Sequence, residues 1–328
     1  MLNIGLISTW HVHFKGYVKE LQDSGKVNLV ALWDENAKKG EETAKDLGID
    51  FVADYDEFLA RTDFQSVICC SPTTMHTELL TKAAKAKKNI FTEKLLAATT
   101  EECQKLCDAI EESGVIFTIS LPLRSDSKML YAKKLVEDGA LGRVTGSRMR
   151  RSHSGVSDGW LPEYWFDTAM SGGGVMMDLG AHPVYMLSFL FGAPKHLTAM
   201  STNLFGTSSD ENTIALAEFE GGILGTCETA FVTHGVPDLL EIYGTEGSLF
   251  IRGEDVELVT KSMGALGVKS AKPVNLPEQK PSPIIQFAEA CIENSKTPEY
   301  LGTEDALIMT KMIEAVYISE EKGEVVKF

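Results

Sequence analysis

No apolar run in the 328 residues approaches the roughly 18 to 20 that a helix needs to cross a bilayer, and the opening MLNIGLI lacks the basic flank of a secretory leader. Positive charge is also scarce. The 31 Lys and Arg against 47 Asp and Glu leave a net charge of −16, which repels nucleic-acid phosphates and anionic membrane surfaces. Nucleic acid and membrane are therefore excluded as expected partners, and the chain reads as a soluble cytoplasmic protein. The cysteines (Cys69, Cys70, Cys103, Cys107, Cys227 and Cys291) contain no C-x-x-C and no disulfide-framework spacing, so reduced thiols are expected. Cys103 and Cys107 lie one helical turn apart without a histidine beside them, which favours packing over metal binding.

What is present is a strand–helix rhythm. Short apolar runs at 2–7, 27–33, 66–70, 89–92 and 115–120 alternate with helix-compatible stretches at 14–23, 36–46, 75–87 and 100–113. This predicts a parallel sheet covered by helices on both faces, a Rossmann dinucleotide-binding domain over 1–122. Beyond it, a helix at 126–138 leads into strand-like segments at 143–152, 212–219, 223–232 and 239–251, with a glycine-opened helix at 171–191. The expectation for 123–328 is an α+β substrate-binding and oligomerisation domain with a large, mainly antiparallel sheet. Residues 264–283 read as a surface segment, followed by helices near 284–294 and 303–321.

In a dinucleotide-binding unit the second strand ends in an acid that accepts hydrogen bonds from the adenosine ribose. Asp34 ends LVALWD at that place, 21 residues beyond His13, the third position of a G-x-G-x-x-G frame. Glu35 follows and no Arg is near, so a 2′-phosphate would meet two carboxylates and NAD is expected over NADP. Alone, Asp34 also fits an ordinary strand-end turn. In SGGGVMMDLGAHPVY, Asp178 and His182 are spaced i and i+4, which places both on one helical face. The spacing is equally that of a buried histidine satisfied by an aspartate.

Four stretches, CCSPTTMH at 69–76, FTEKLL at 91–96, SGGGVMMDLGAHPVYMLSFLFG at 171–192 and IYGTEGSLFI at 242–251, together resemble the Gfo/Idh/MocA oxidoreductases over almost the whole chain. The resemblance implies that Ser71, Pro72, Thr73 and His76 line the cofactor. It also implies that Glu93 meets the nicotinamide ribose and that Lys94 serves the reacting carbon. Leu95 stands where the family's E-K-P segment has proline. Asp178 and His182 then belong to a D-x-x-x-H pair opposite the lysine. The implied activity is an NAD(P)-dependent dehydrogenase acting on a secondary hydroxyl of a sugar, cyclitol or related polyol, in a homodimer or homotetramer.

Such oxidation needs a base near neutral pKa and a cation for developing alkoxide. His182 and Lys94 fill these roles between them, either being eligible as the formal base, while Asp178 binds substrate and orients the imidazole. Arg124, His153, Trp160, Tyr164 and Trp165 are candidates for substrate binding, suited to stacking on and hydrogen-bonding a sugar ring. Arg148, Arg150 and Arg151 read as a solvated or subunit-interface face.

Glycine is missing where it is most expected. In ISTWHVHFKGY, residues 7–17, Ser8, Trp10 and His13 occupy the three glycine positions of the frame. Backbone amides at a helix start still face a phosphate, so Ser8, Thr9, Trp10 and His11 are assigned to the cofactor in a looser pyrophosphate seat aided by side chains. No metal is expected. Two other functions compete: an NAD-using glycosidase or cofactor-bound regulator of the same fold, and a metal-dependent hydrolase using His11-x-His13, which would need further ligands on eight βα units.

Overall fold

The computed structural model describes residues 1–273 and 275–328, so one position of the expected surface segment 264–283 lies outside the described residues. Two compact units emerge, one of residues 1–122 with 281–310 and one of 123–280 with 311–328.

In the first unit, β1 (Leu2–Ile7), β2 (Val27–Trp33), β3 (Asp50–Phe51), β4 (Ser66–Cys69), β5 (Asn89–Thr92) and β6 (Phe117–Ile119) form a parallel sheet in the order β3-β2-β1-β4-β5-β6. Helices α1 (Phe14–Ser24), α2 (Ala37–Leu47), α3 (Tyr55–Ala60), α4 (His76–Lys85) and α5 (Thr100–Ser113) connect the strands. Every residue of β4 is buried, as a strand covered on both faces requires. Helix α1 buries Phe14, Val18 and Leu21, spaced four and three apart on one face, and ends where Gly25 takes a left-handed conformation. Strand order reverses between β1 and β4, and in such sheets ligands bind in the crevice at the carboxyl ends beside that switch.

The second unit contains α6 (Ser127–Glu137), β7 (Val144–Ser152), α7 (Thr168–Ser171), α8 (Ala181–Phe191), β8 (His196–Thr202), β9 (Asn212–Phe219), β10 (Ile223–Ala230), β11 (Leu239–Gly244), β12 (Gly247–Arg252), β13 (Asp255–Thr260) and the short α9 (Lys261–Ala265). With β14 (Val326–Lys327) the strands form one sheet in the order β13-β12-β11-β7-β10-β9-β8-β14. Only the β7–β10 pairing is parallel among the described pairs. The segment 239–251 is a hairpin of β11 and β12 rather than one strand. Helix α8 is apolar almost all round and packs on β7 and β10, which explains its burial from Ala181 through Leu190. Strand β9 alternates strictly, with Thr213, Ala215, Ala217 and Phe219 buried and Ile214 and Leu216 exposed. Among the described residues, the opposite face of the sheet at β9 leaves Ile214 and Leu216 exposed.

Two expectations are corrected. Helices α10 (Pro283–Glu293) and the first part of α11 (Thr303–Lys322) belong to the first unit, not the second. Ile284, Phe287 and Ala288 of α10 share a core with Ile4, Phe14, Leu21 and Phe91, so the chain returns to cover the Rossmann sheet. Asp178 does not lie on a helix with His182. Helix α8 starts only at Ala181, and residues 173–180 form turns bonded to Asp210.

Candidate active site

The glycine-free loop is held by side chains. Ser8 adopts a left-handed backbone (φ 65°), a conformation usually left to glycine. Thr9 donates its N–H (2.8 Å) and hydroxyl (2.6 Å) to Asp34 Oδ2, and Asn36 N–H donates to Oδ1 at 2.8 Å. Lys39 Nζ donates to Thr9 O, and His11 N–H donates to Cys70 O at the end of β4. Gly40 allows this closeness, because a Cβ there would lie 2.6 Å from Asp34 Cβ and from the Phe51 ring. Beside Ser8, burial raises the Glu35 carboxyl pKa against the hydroxyl's opposing hydrogen bond.

Glu93, 1% exposed at the end of β5, gathers the polar groups of the first unit. Its Oε1 lies 2.7 Å from His13 Nδ1 and 3.6 Å from His11 Nδ1 and accepts from the Tyr17 hydroxyl, while Oε2 accepts from Lys94 N–H at 3.2 Å. Burial pushes the carboxyl upward, but its contacts with His11, His13 and Lys94 prevail and hold it well below the usual range. Burial and Glu93 both raise the Tyr17 phenol, which also reaches Ser120 Oγ at 2.7 Å. Lys94 is buried beside this carboxylate, and the Lys94–Leu95 peptide is cis. His76 is fully buried. Its ring nitrogens face Leu95 O (2.8 Å) and Ser71 O (3.1 Å), tying the Ser71-Pro72-Thr73 turn to the Glu93-Lys94 segment. Ser71 Oγ lies 3.1 Å from Cys69 Sγ, and Pro72 leads into the single turn Thr73–Met75.

In the second unit His182 occupies the first turn of α8, with Nδ1 2.9 Å from the Tyr185 hydroxyl. Leu123 N–H donates to the same hydroxyl at 3.2 Å. Arg124 lies under the helix, donating through Nη2 to Tyr185 O and Ser188 Oγ with its guanidinium over the Tyr185 and Phe189 rings. Asp178 Oδ2 accepts from Trp165 Nε1 at 3.0 Å. His153 stacks on Phe231 and packs against Trp160, and burial lowers its pKa against the pull of Asp178. Trp160 and Tyr164 keep exposed rings. The basic strand is paired: Arg148 forms a two-point contact with Glu228 (2.6 and 2.9 Å), and Arg151 lies 3.8 Å from Asp238.

Residues 4–121 match the oxidoreductase family with an NAD-binding Rossmann fold, and residues 129–250 match the GFO/IDH/MocA C-terminal domain. The chain belongs to the GFO/IDH/MocA family. Its relatives include the scyllo-inositol 2-dehydrogenase (NAD(+)) of Bacillus subtilis, 26% identical over 90% of this chain and 86% of that protein. Levoglucosan dehydrogenase of Pseudarthrobacter phenanthrenivorans is 26% identical over 67% of this chain but only 63% of its own length. A levoglucosan dehydrogenase structure in complex with NADH and levoglucosan superposes with a TM-score of 0.87 at 23% identity, covering 99% of each chain. The metal-dependent hydrolase reading is overturned, because both family domains match and the second sheet does not continue the βα units such a barrel needs.

Within this GFO/IDH/MocA chain, three residues that no motif singles out hold candidate residues in place, Tyr17 in the first unit and Tyr185 and Asp210 in the second. Tyr17 sits on an amphipathic helix and Tyr185 in an apolar run, so both read as packing from sequence alone. Asp210 lies in a polar loop, yet its Oδ1 and Oδ2 accept from Gly174 and Met176 N–H, and Oδ1 also accepts from Tyr317 Oη. Gly174 has no room for a side chain, since its Cβ would lie 2.3 Å from Asp210 O. Asp210→Ala is expected to lower stability by about 1–3 kcal/mol, the cost of stranding partly buried donors, as read by denaturant unfolding. An unchanged unfolding midpoint would contradict this role.

Proposed function

We propose that the chain is an NAD-dependent dehydrogenase acting on a secondary hydroxyl of a sugar, cyclitol or related polyol, with Lys94, Asp178 and His182 as its catalytic residues. The observation that carries this reading is the buried Glu93–Lys94 pair at the carboxyl end of β5, next to the strand-order switch, in a chain whose two domains both match the family. The residues present fit a dinucleotide. Glu35 Oε2 is buried with no hydrogen-bond partner among the described residues, and it follows Asp34 at the end of β2. Two carboxylates there suit ribose hydroxyls and repel a 2′-phosphate, which favours NAD over NADP. Ser8, Thr9, Trp10 and His11 would seat the pyrophosphate, and Ser71, Pro72, Thr73, His76 and Glu93 the nicotinamide half. When bound, the nicotinamide supplies the hydride acceptor.

The protein's own task is to hold the alcohol and take its proton. His182 accepts that proton at Nε2, a role that requires its Nδ1–H to donate to the Tyr185 hydroxyl 2.9 Å away. Lys94 supplies positive charge for the developing alkoxide. Asp178, oriented by Trp165, accepts from a substrate hydroxyl. His153, Trp160, Tyr164 and Trp165 furnish aromatic and polar surface for the ring. Arg124 braces α8, which carries His182, through Tyr185 O and Ser188 Oγ.

The exposed face of this sheet carries Met200 (77% exposed), Ile214 (51%), Leu216 (41%) and Leu224 (51%), an apolar patch suited to pairing with a second copy as a homodimer or within a homotetramer. Light scattering should give at least twice the 35.9 kDa chain mass, and a monomer would refute this pairing. The six free thiols suit the cytoplasm.

A panel of sugars and inositols with NAD, followed by NADH absorbance, should reveal a substrate. With that substrate, Lys94→Ala and His182→Ala should lower turnover by about 10²–10⁴-fold with little change in NAD affinity. Tyr185→Phe should lower it about tenfold and displace the acidic limb of the pH profile. Full activity of the Lys94 or His182 variant would sink the mechanism. Tightly retained NAD with no net NADH would instead favour a glycosidase that uses the cofactor transiently.

A further inference from the structure

The His-x-His of the first loop has a third member that the primary sequence hides. We infer that His11, His13 and Glu93 form a binding site for a divalent transition metal of the Zn²⁺ class, and that this ion and the nicotinamide cofactor exclude one another. One ligand atom from each residue lies within 4.8 Å of the others. Glu93 Oε1 is 2.7 Å from His13 Nδ1 and 3.6 Å from His11 Nδ1, with the two imidazole centroids 4.6 Å apart. Tetrahedral Zn²⁺ with bonds of about 2.0–2.2 Å spaces its ligands about 3.3 Å apart, so capture opens the 2.7 Å Glu93–His13 contact, draws in the 3.6 Å Glu93–His11 contact, and brings the two imidazole nitrogens, which lie within 4.8 Å of one another, to the same spacing.

Two imidazole nitrogens and one carboxylate oxygen are a donor set for Zn²⁺ or its first-row neighbours, with the fourth position left to water. The surrounding contacts suit the ligands. Tyr17 Oη and Lys94 N–H hold the Glu93 carboxylate, and Gly40 and Asp34 brace the loop behind His11. His11 and Glu93 are buried while the His13 side chain is 49% exposed, which gives the ion an entry path. It would replace the 3.2 Å contact that His13 N–H makes to His11 Nδ1. The metal site itself stands on this geometry. Exclusion of the cofactor rests on the reading above, in which Glu93 serves the nicotinamide ribose and His11 the pyrophosphate, so metal and cofactor draw on the same groups.

The test is equilibrium dialysis of the full-length, cofactor-free chain against micromolar Zn²⁺, with bound metal measured by emission spectrometry. One equivalent per chain is expected, and Co²⁺ in its place should show the visible bands of a four-coordinate ion. His13→Gln and His11→Gln, checked for unchanged circular dichroism, should each weaken binding at least about tenfold. Saturating NADH should release the metal. Substoichiometric binding, or binding unaffected by both histidine variants, would overturn the site. Metal that stays bound while NADH fluorescence reports cofactor binding would overturn the exclusion. Failure of NADH to bind metal-free protein would instead count against the dehydrogenase reading and leave the metal result standing.

Discussion

A buried carboxylate keeps its charge only when donors match it, and Glu93 is where this chain meets that demand. Its partners come from three places in the sequence: His13 and Tyr17 at the start of α1, His11 in the loop before it, and the Lys94 N–H next in line. Tyr17 extends the connection to Ser120, just past β6. One anion thereby joins the carboxyl ends of β1, β5 and β6, the rim where an open parallel sheet presents its ligand crevice. The position of Lys94 follows directly, because its backbone is pinned to the same side chain.

This network explains how a Rossmann unit survives without its glycine frame. Glycines give the loop freedom to turn tightly and to approach a phosphate. Here the turn is made by Ser8 in a left-handed conformation, and the loop is fastened by Thr9 to Asp34, by Lys39 to Thr9 O and by His11 N–H to Cys70 O. Flexible backbone has been exchanged for a set of specific side-chain contacts. The second unit uses the same strategy around His182, where Tyr185, Leu123 N–H and Arg124 lock the start of a buried helix.

Much of the fold was legible because period carries it. The strands β1, β2, β4 and β5 are apolar runs bounded by helical stretches, and the alternation of β9 shows on the sequence itself. Two-residue β3 and six-residue α3 are too short to register a period. The return of α10 to the first unit is a long-range packing event among Ile4, Phe91 and Phe287, which local pattern does not encode. The turns that hold Asp178 are fastened through Gly174 and Met176 N–H to Asp210, 32 residues beyond Asp178, a long-range contact that local pattern does not show. Glu93, Lys94 and His182 stand in motifs that the sequence displays, whereas the residues that hold them do not. Tyr17 and Tyr185 look like core aromatics until their hydroxyls are seen, and nothing near the His-x-His announces a carboxylate 80 residues on.

The proposed activity depends on a loop built from side chains receiving a dinucleotide. Calorimetric titration of the metal-free chain with NAD and, separately, NADP measures this most directly. One saturable NAD site per chain, with NADP at least about tenfold weaker because of Asp34 and Glu35, is the predicted result. No saturable heat with NAD, or tighter binding of NADP, would contradict it.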